Sequence, residues 1–187
     1  MVFNSVAELF DSIGRTRASL YEQVEGLSQE QSSFRPADDA WSVAEIAEHL
    51  GLLESRLAPL VKGLVEQGEA SAALIDADGT IAPISIEHIT ARTAGKSKAP
   101  EFLQPTGQVS LEEAIEKLRQ TREVLLALKN NLQARDFTPV TYTNERLGAL
   151  NPYQWLAFIG YHEDRHLNQI SALISSESFP ARQAASA

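Results

Sequence analysis

Four amphipathic stretches, each opening on a helix-capping signature, constrain this chain more than any other feature. Between about 4 and 27 the apolar residues are Val6, Leu9, Phe10, Ile13, Leu20, Val24 and Leu27. Their steps of three, four and seven trace one face of a helix. Asn4 or Ser5 offers a cap, and Glu8 stands three residues after Ser5, as a capping box requires. The second stretch starts at Ser42, with Glu45 at the same spacing. It carries Val43, Ile46, Leu50, Leu53, Leu57, Leu60 and Leu64 on one side. The third opens with Ser110 and Glu113 and runs to about 132 through Leu111, Ile115, Leu118, Leu125 and Leu128. The fourth has Asn151 as cap and Pro152 in the first turn, a favoured place for proline. It continues to about 175 through Trp155, Ile159, His162, His166, Ile170 and Leu173. Gly14 weakens the first helix slightly, and Pro59 predicts a kink or an end to the regular part of the second.

Four such stripes bury one another in an all-α fold, a four-helix bundle. The joint between the second and third helices, from 68 to 109, is rich in Ala, Gly, Pro and Thr. Joints this long are uncommon unless they are functional or cross over, and a long crossover lets two helices run parallel. Strand patterns are confined to 80–89 and 139–143, both in connections. One domain over 1–176 is expected, followed by a frayed tail at 177–187. At 187 residues, 43% apolar and 22% charged, the chain can bury a core without staples.

The charge balance narrows the function. With a net charge of −9 and a pI near 4.9, the chain lacks the excess of Lys and Arg that phosphate contacts need. Nucleic acid and anionic membrane surfaces are therefore not expected partners. The absence of cysteine excludes disulfides, thiol catalysis by the chain itself and Cys-based zinc sites. No run approaches the ~20 apolar residues that span a bilayer. The N-terminus places acids before its basic residues and has no apolar run, so it does not read as a signal peptide; a cytoplasmic protein is expected.

Chemistry concentrates in the histidines. His162 and His166 are four apart on the inward stripe of the last helix, so they share a face and can hold one metal ion. The run His-Glu-Asp-Arg-His is not the zinc-protease motif, which needs a different spacing. His49 lies between Ile46 and Leu53, at the edge of the second stripe. Three imidazoles converging inside a bundle form a site with open positions for water or substrate. Their nitrogens should then approach within a few ångströms. The alternative is that each histidine is a half-buried side chain with an ordinary hydrogen bond. His88 has no partner spacing and reads as a surface residue. Trp41 and Trp155 read as core anchors. Glu45 either serves the helix cap alone, the favoured reading, or orients an imidazole. Gln169 stands one turn from His166 and either supports that ring or makes a plain bundle hydrogen bond. Tyr161, Glu163, Asp164 and Arg165 are expected to turn away from the site as solvated or interfacial residues.

Two segments resemble a known family. Phe34-Arg35-Pro36 followed by Trp41-Ser42-Val43-Ala44-Glu45-Ile46-Ala47-Glu48-His49-Leu50 is similar to one signature of the DinB-like (DinB/YfiT) metalloenzymes. Gly160-Tyr161-His162-Glu163-Asp164-Arg165-His166-Leu167-Asn168-Gln169-Ile170 is similar to their second signature. The resemblance implies a four-helix bundle with a long crossover. It also implies a divalent metal, nickel or zinc, on three histidines, one from the second helix and two from the last: His49, His162 and His166. Some members of the family transfer a low-molecular-weight thiol such as bacillithiol, mycothiol or glutathione. The resemblance thus implies a thiol cosubstrate and a small electrophile as the small-molecule substrate, with the 68–109 joint as lid or specificity element. A non-catalytic bundle that binds metal or a small ligand in sensing or stress, and a metal-dependent hydrolase, are the alternatives. Assembly as a homodimer stays open. The family's name, damage-inducible, does not establish DNA binding, and the acidic charge argues against it.

Overall fold

The computed structural model describes residues 1–75, 81–93, 95 and 98–181. In chain order the elements are β1 (Val2–Phe3), α1 (Val6–Val24), α2 (Gln29–Ser33), α3 (Val43–Gly68), β2 (Ala73–Leu74), β3 (Ile84–Ser85), α4 (Glu87–Thr93), a 3-10 turn (Glu101–Leu103), α5 (Leu111–Leu126), α6 (Lys129–Ala134), β4 (Arg135–Asp136), β5 (Tyr142–Asn144), β6 (Gly148–Leu150) and α7 (Pro152–Ile174). The long helices α1, α3, α5 and α7 are the four stretches read from the sequence, in a four-helix bundle with a long crossover between α3 and α5.

Their starts follow from local chemistry. Ser42, Ser110 and Asn151 each accept from the amide three residues on, and Glu45, Glu113 and Gln154 return the bond to the cap amide. Ser5 accepts from the Glu8 amide. Each cap satisfies an otherwise orphaned donor and is worth about 1 kcal/mol. Of the two outcomes expected at Pro59, an end to α3 does not occur; the helix runs through it to Gly68. The ring lies on the exposed face, where the carbonyl it leaves without a donor can meet water, while Leu57, Ala58 and Val61 stay buried around it. The third stretch breaks after Leu126. The Ala127 amide is shared between the Glu123 and Leu125 carbonyls, and that tightened turn separates α5 from α6.

α3 packs chiefly on α5, α1 on α7, and α7 also on α3. α1 and α7 approach closely at Gly160, where an added Cβ would lie 2.6 Å from Ile13 Cγ2. The crossover is not bare loop. β3 pairs antiparallel with β1, Phe3 opposite Ile84, and this brings Ile84, Ile86 and Ile89 into the core. β2 pairs with β4, and β5 with β6 in a hairpin that turns at 145–147 and enters β6 through Gly148, φ +87. The strands expected within 80–89 and 139–143 are thus only short pieces, β3 and β5, and residue 80 itself lies outside the described residues. Of the tail, 182–187 also lie outside. The described part is docked: Phe179 meets the Phe34 ring edge-on at 5.7 Å, and the Pro180 carbonyl accepts from Gln31.

The core is two clusters with a charged layer between them. One holds Leu9, Ile13, Val61, Leu125 and Trp155; the other holds Leu20, Ile46, Leu118 and Ile170. Between them each long helix contributes one buried charged side chain: Arg17, Glu54, Arg122 and Glu163. Arg17 Nη2 donates to Glu54 at 2.6 Å and its Nε to Glu163. Arg122 donates to both oxygens of Glu54 at 3.1 Å and to Glu163 at 2.7 Å. The Leu118 and Ile13 carbonyls and the Thr121 hydroxyl complete the network. Burial pushes the Glu54 carboxyl up, but Arg122 and then Arg17 outweigh it and hold it below its ordinary value. Glu163, expected to be solvated or interfacial, is 1% exposed, and its charge is met here.

A candidate metal site of three histidines

Glu163 of α7 is paired with Arg17 and Arg122 in the charged layer. His162 and His166 lie on the neighbouring face, opposite His49 of α3. The three side chains each offer one nitrogen, and these nitrogens lie within 4.8 Å of one another. Ring centroids stand 5.1 Å apart for His49 and His162, 4.9 Å for His49 and His166, and 4.6 Å for His162 and His166. Among the described residues the group contains no carboxylate.

Hydrogen bonding decides which nitrogen faces inward. His49 Nδ1 lies 2.7 Å from the Leu103 carbonyl, which can only accept, so Nδ1 carries the proton and Nε2 a lone pair. His166 Nδ1 faces Gln169 Oε1 at 3.0 Å, which likewise leaves Nε2 bare. His162 Nε2 stands 3.3 Å from His49 Nε2, and its Nδ1 is buried with no partner. With the His162 proton on Nε2, a buried lone pair is left unsatisfied. With it on Nδ1, two lone pairs face one another. A cation between the Nε2 atoms removes that second conflict, so the donor set fits a divalent metal bound by imidazole. Burial, then for His162 the nearness of His166 and His49, pushes that imidazole well below its ordinary value. Burial and His49 lower His166 to about 4, and burial lowers His49 although Leu103 opposes it. The rings are therefore neutral at pH 7, the form that ligates.

The surroundings sort the remaining expectations. Glu45 belongs to the cap of α3 and to Arg35, not to the histidines. Gln169 does support His166. Trp155 is a core anchor, 1% exposed; Trp41 is half-buried against the cluster of Leu20, Ile46 and Ile170, and its ring also lies 4.8 Å from the His49 ring and 6.4 Å from that of His166. Phe158 covers His162 from the other side at 5.9 Å. Arg165 reaches the crossover, donating to the Thr93 and Gly95 carbonyls. His88 is exposed. Sequence reasoning missed the charged layer. Its signal was a charged residue inside each apolar stripe, such as Arg17 between Ile13 and Leu20.

Comparison with known proteins settles the lineage. The sequence model of the DinB superfamily matches residues 12–170. The chain belongs to the DinB superfamily. Its similarity extends to YuaE of Bacillus subtilis (strain 168), an uncharacterised protein, at 29% identity over 163 residues, covering 84% of this chain and 91% of that protein. The solved structure of TT2238, a four-helix bundle protein, superposes with a TM-score of 0.61 at 21% identity, covering 90% of this chain and 99% of that one. That last likeness bears on the fold alone. In this DinB superfamily member no helix among the described residues is long and apolar enough to cross a membrane.

Proposed function

We propose that this protein is a divalent-metal-dependent enzyme that transfers a low-molecular-weight thiol to a small electrophile, with His49, His162 and His166 holding nickel or zinc. The observation that carries the reading is a donor set of three neutral imidazoles without a carboxylate. A bound divalent ion would supply Lewis acidity and lower the pKa of a coordinated thiol or water. The protein's own part is to keep the rings neutral by burial, to aim them through Leu103 and Gln169, and to leave the nucleophile to come from outside, since the chain has no cysteine. Hydrolysis calls for a general base beside the site. The carboxylates next in sequence to the ligands are otherwise engaged: Glu48 with Thr106 and Gly107, Glu163 with two arginines. This favours thiol transfer over hydrolysis.

Depth supports a second reading. His49 is 3% and His166 8% exposed, which suits a bundle that holds a metal without turnover. A panel of glutathione, mycothiol, bacillithiol and cysteine with model electrophiles separates the two, run on apo protein and on zinc- and nickel-loaded protein. Transfer that appears only with metal and vanishes in His166→Ala supports the enzyme. No acceleration by any thiol, with His166→Ala matching the parent, leaves the binding module.

A further inference from the structure

Glu48 stands beside His49 on α3, is 6% exposed and is bound by three donors from the end of the crossover. Its Oε1 accepts from the Thr106 amide at 2.9 Å and the Thr106 hydroxyl at 2.8 Å, and its Oε2 from the Gly107 amide at 3.2 Å. Gly107 has φ +71, where other L residues are strained, and a Cβ there would meet Glu45 Oε1 at 3.3 Å and Arg35 Nη2 at 3.4 Å. The strap therefore turns at one defined place. Three residues before Thr106, the Leu103 carbonyl receives the His49 Nδ1 proton at 2.7 Å. Pro105 lies between and stiffens the link.

We infer that Glu48 is a positioning residue for the three-histidine site: it anchors the 103–107 strap, and the strap's Leu103 carbonyl fixes the tautomer and aim of His49. This rests on the metal reading of that site. Residues that orient a metal-bound histidine through its second nitrogen generally change metal affinity 10–100-fold when removed, and Glu48 acts one step further out through the chain. A carboxylate that merely closed a loop would leave His49 as it was.

The test uses full-length protein, Co2+ as the probe, and the His49 Nδ1 proton seen by NMR. In the parent that proton should be shielded from solvent exchange, and Co2+ should bind with a visible ligand-field band. Glu48→Ala should weaken Co2+ binding roughly tenfold, change the band and expose the Nδ1 proton. Glu48→Gln keeps an acceptor for Thr106 and should fall between. Should Glu48→Ala fail to fold by circular dichroism, Thr106→Val stands in: a smaller loss in the same direction, with Thr106→Ser restoring parental behaviour. A folded Glu48→Ala, or in its absence Thr106→Val, with parental affinity, band and Nδ1 exchange overturns the inference. If the parent binds no Co2+, the metal reading fails instead, and the Nδ1 exchange rate alone decides whether Glu48 positions His49.

Discussion

Replacing Glu163 by glutamine keeps its size and removes its charge. In the buried layer two arginines face two glutamates, so the four charges cancel. Glu163→Gln leaves Arg17 and Arg122 with Glu54 alone, and one positive charge uncompensated in a place that is 1% exposed. Breaking a buried pair from one side costs about 3–5 kcal/mol. For a chain of this size 1 kcal/mol moves Tm by about 2–4 °C, so a fall of roughly 6–20 °C is expected. Urea unfolding followed by circular dichroism measures the loss as a lower midpoint at unchanged slope. The double variant Arg17→Met with Glu163→Leu restores neutrality. Its cost should fall short of the summed single variants by more than about 1 kcal/mol, because the two charges interact directly. Single losses below about 1 kcal/mol that simply add would refute the view that this layer holds the bundle together.

Three further outcomes are expected. Burial lowers the folded-state pKa of His166 from 6.5 to about 4, so the unfolded chain binds more protons between those values. Apo stability should fall by about 3 kcal/mol on this account as pH drops from 6.5 to 4, and not above 6.5; a flat urea midpoint across that window would contradict it. Gly14→Ala and Gly160→Ala should shift Tm in opposite directions. The first meets open space and gains about 0.5–1 kcal/mol of helix propensity, while the second strikes the stiff Ile13 side chain and loses about 1–3 kcal/mol. Of the two tryptophans only Trp41 lies against the histidines, so Zn2+ should change the fluorescence of the parent and leave Trp41→Phe unchanged.

The elements most legible in the sequence were those fixed by nearby residues. The caps at Ser42, Ser110 and Asn151 set the starts of three helices and the stripes behind them their buried faces, because both are matters of spacing along one chain; the break after Leu126, inside a stretch expected to run to about 132, was not legible. The grouping of His49, His162 and His166 was legible too, since inward faces of adjacent helices must meet. The charged layer was not read out, although the seven-residue steps from Ile13 to Leu20 and from Leu118 to Leu125 each span an arginine at the missing position. Taken alone, a charge in an apolar stripe reads as a solvated edge; only the four helices together show that the charges cancel. The pairing of β1 with β3 joins residues some 80 positions apart, and nothing local announces it.

Anomalous diffraction from crystals of the untagged protein grown with Zn2+ tests the site most directly. One strong peak should stand about 2.0–2.1 Å from Nε2 of His49, His162 and His166 together. Saturating zinc with no peak among the three rings, or a peak held by His162 and His166 while His49 points away, would contradict the three-histidine metal site.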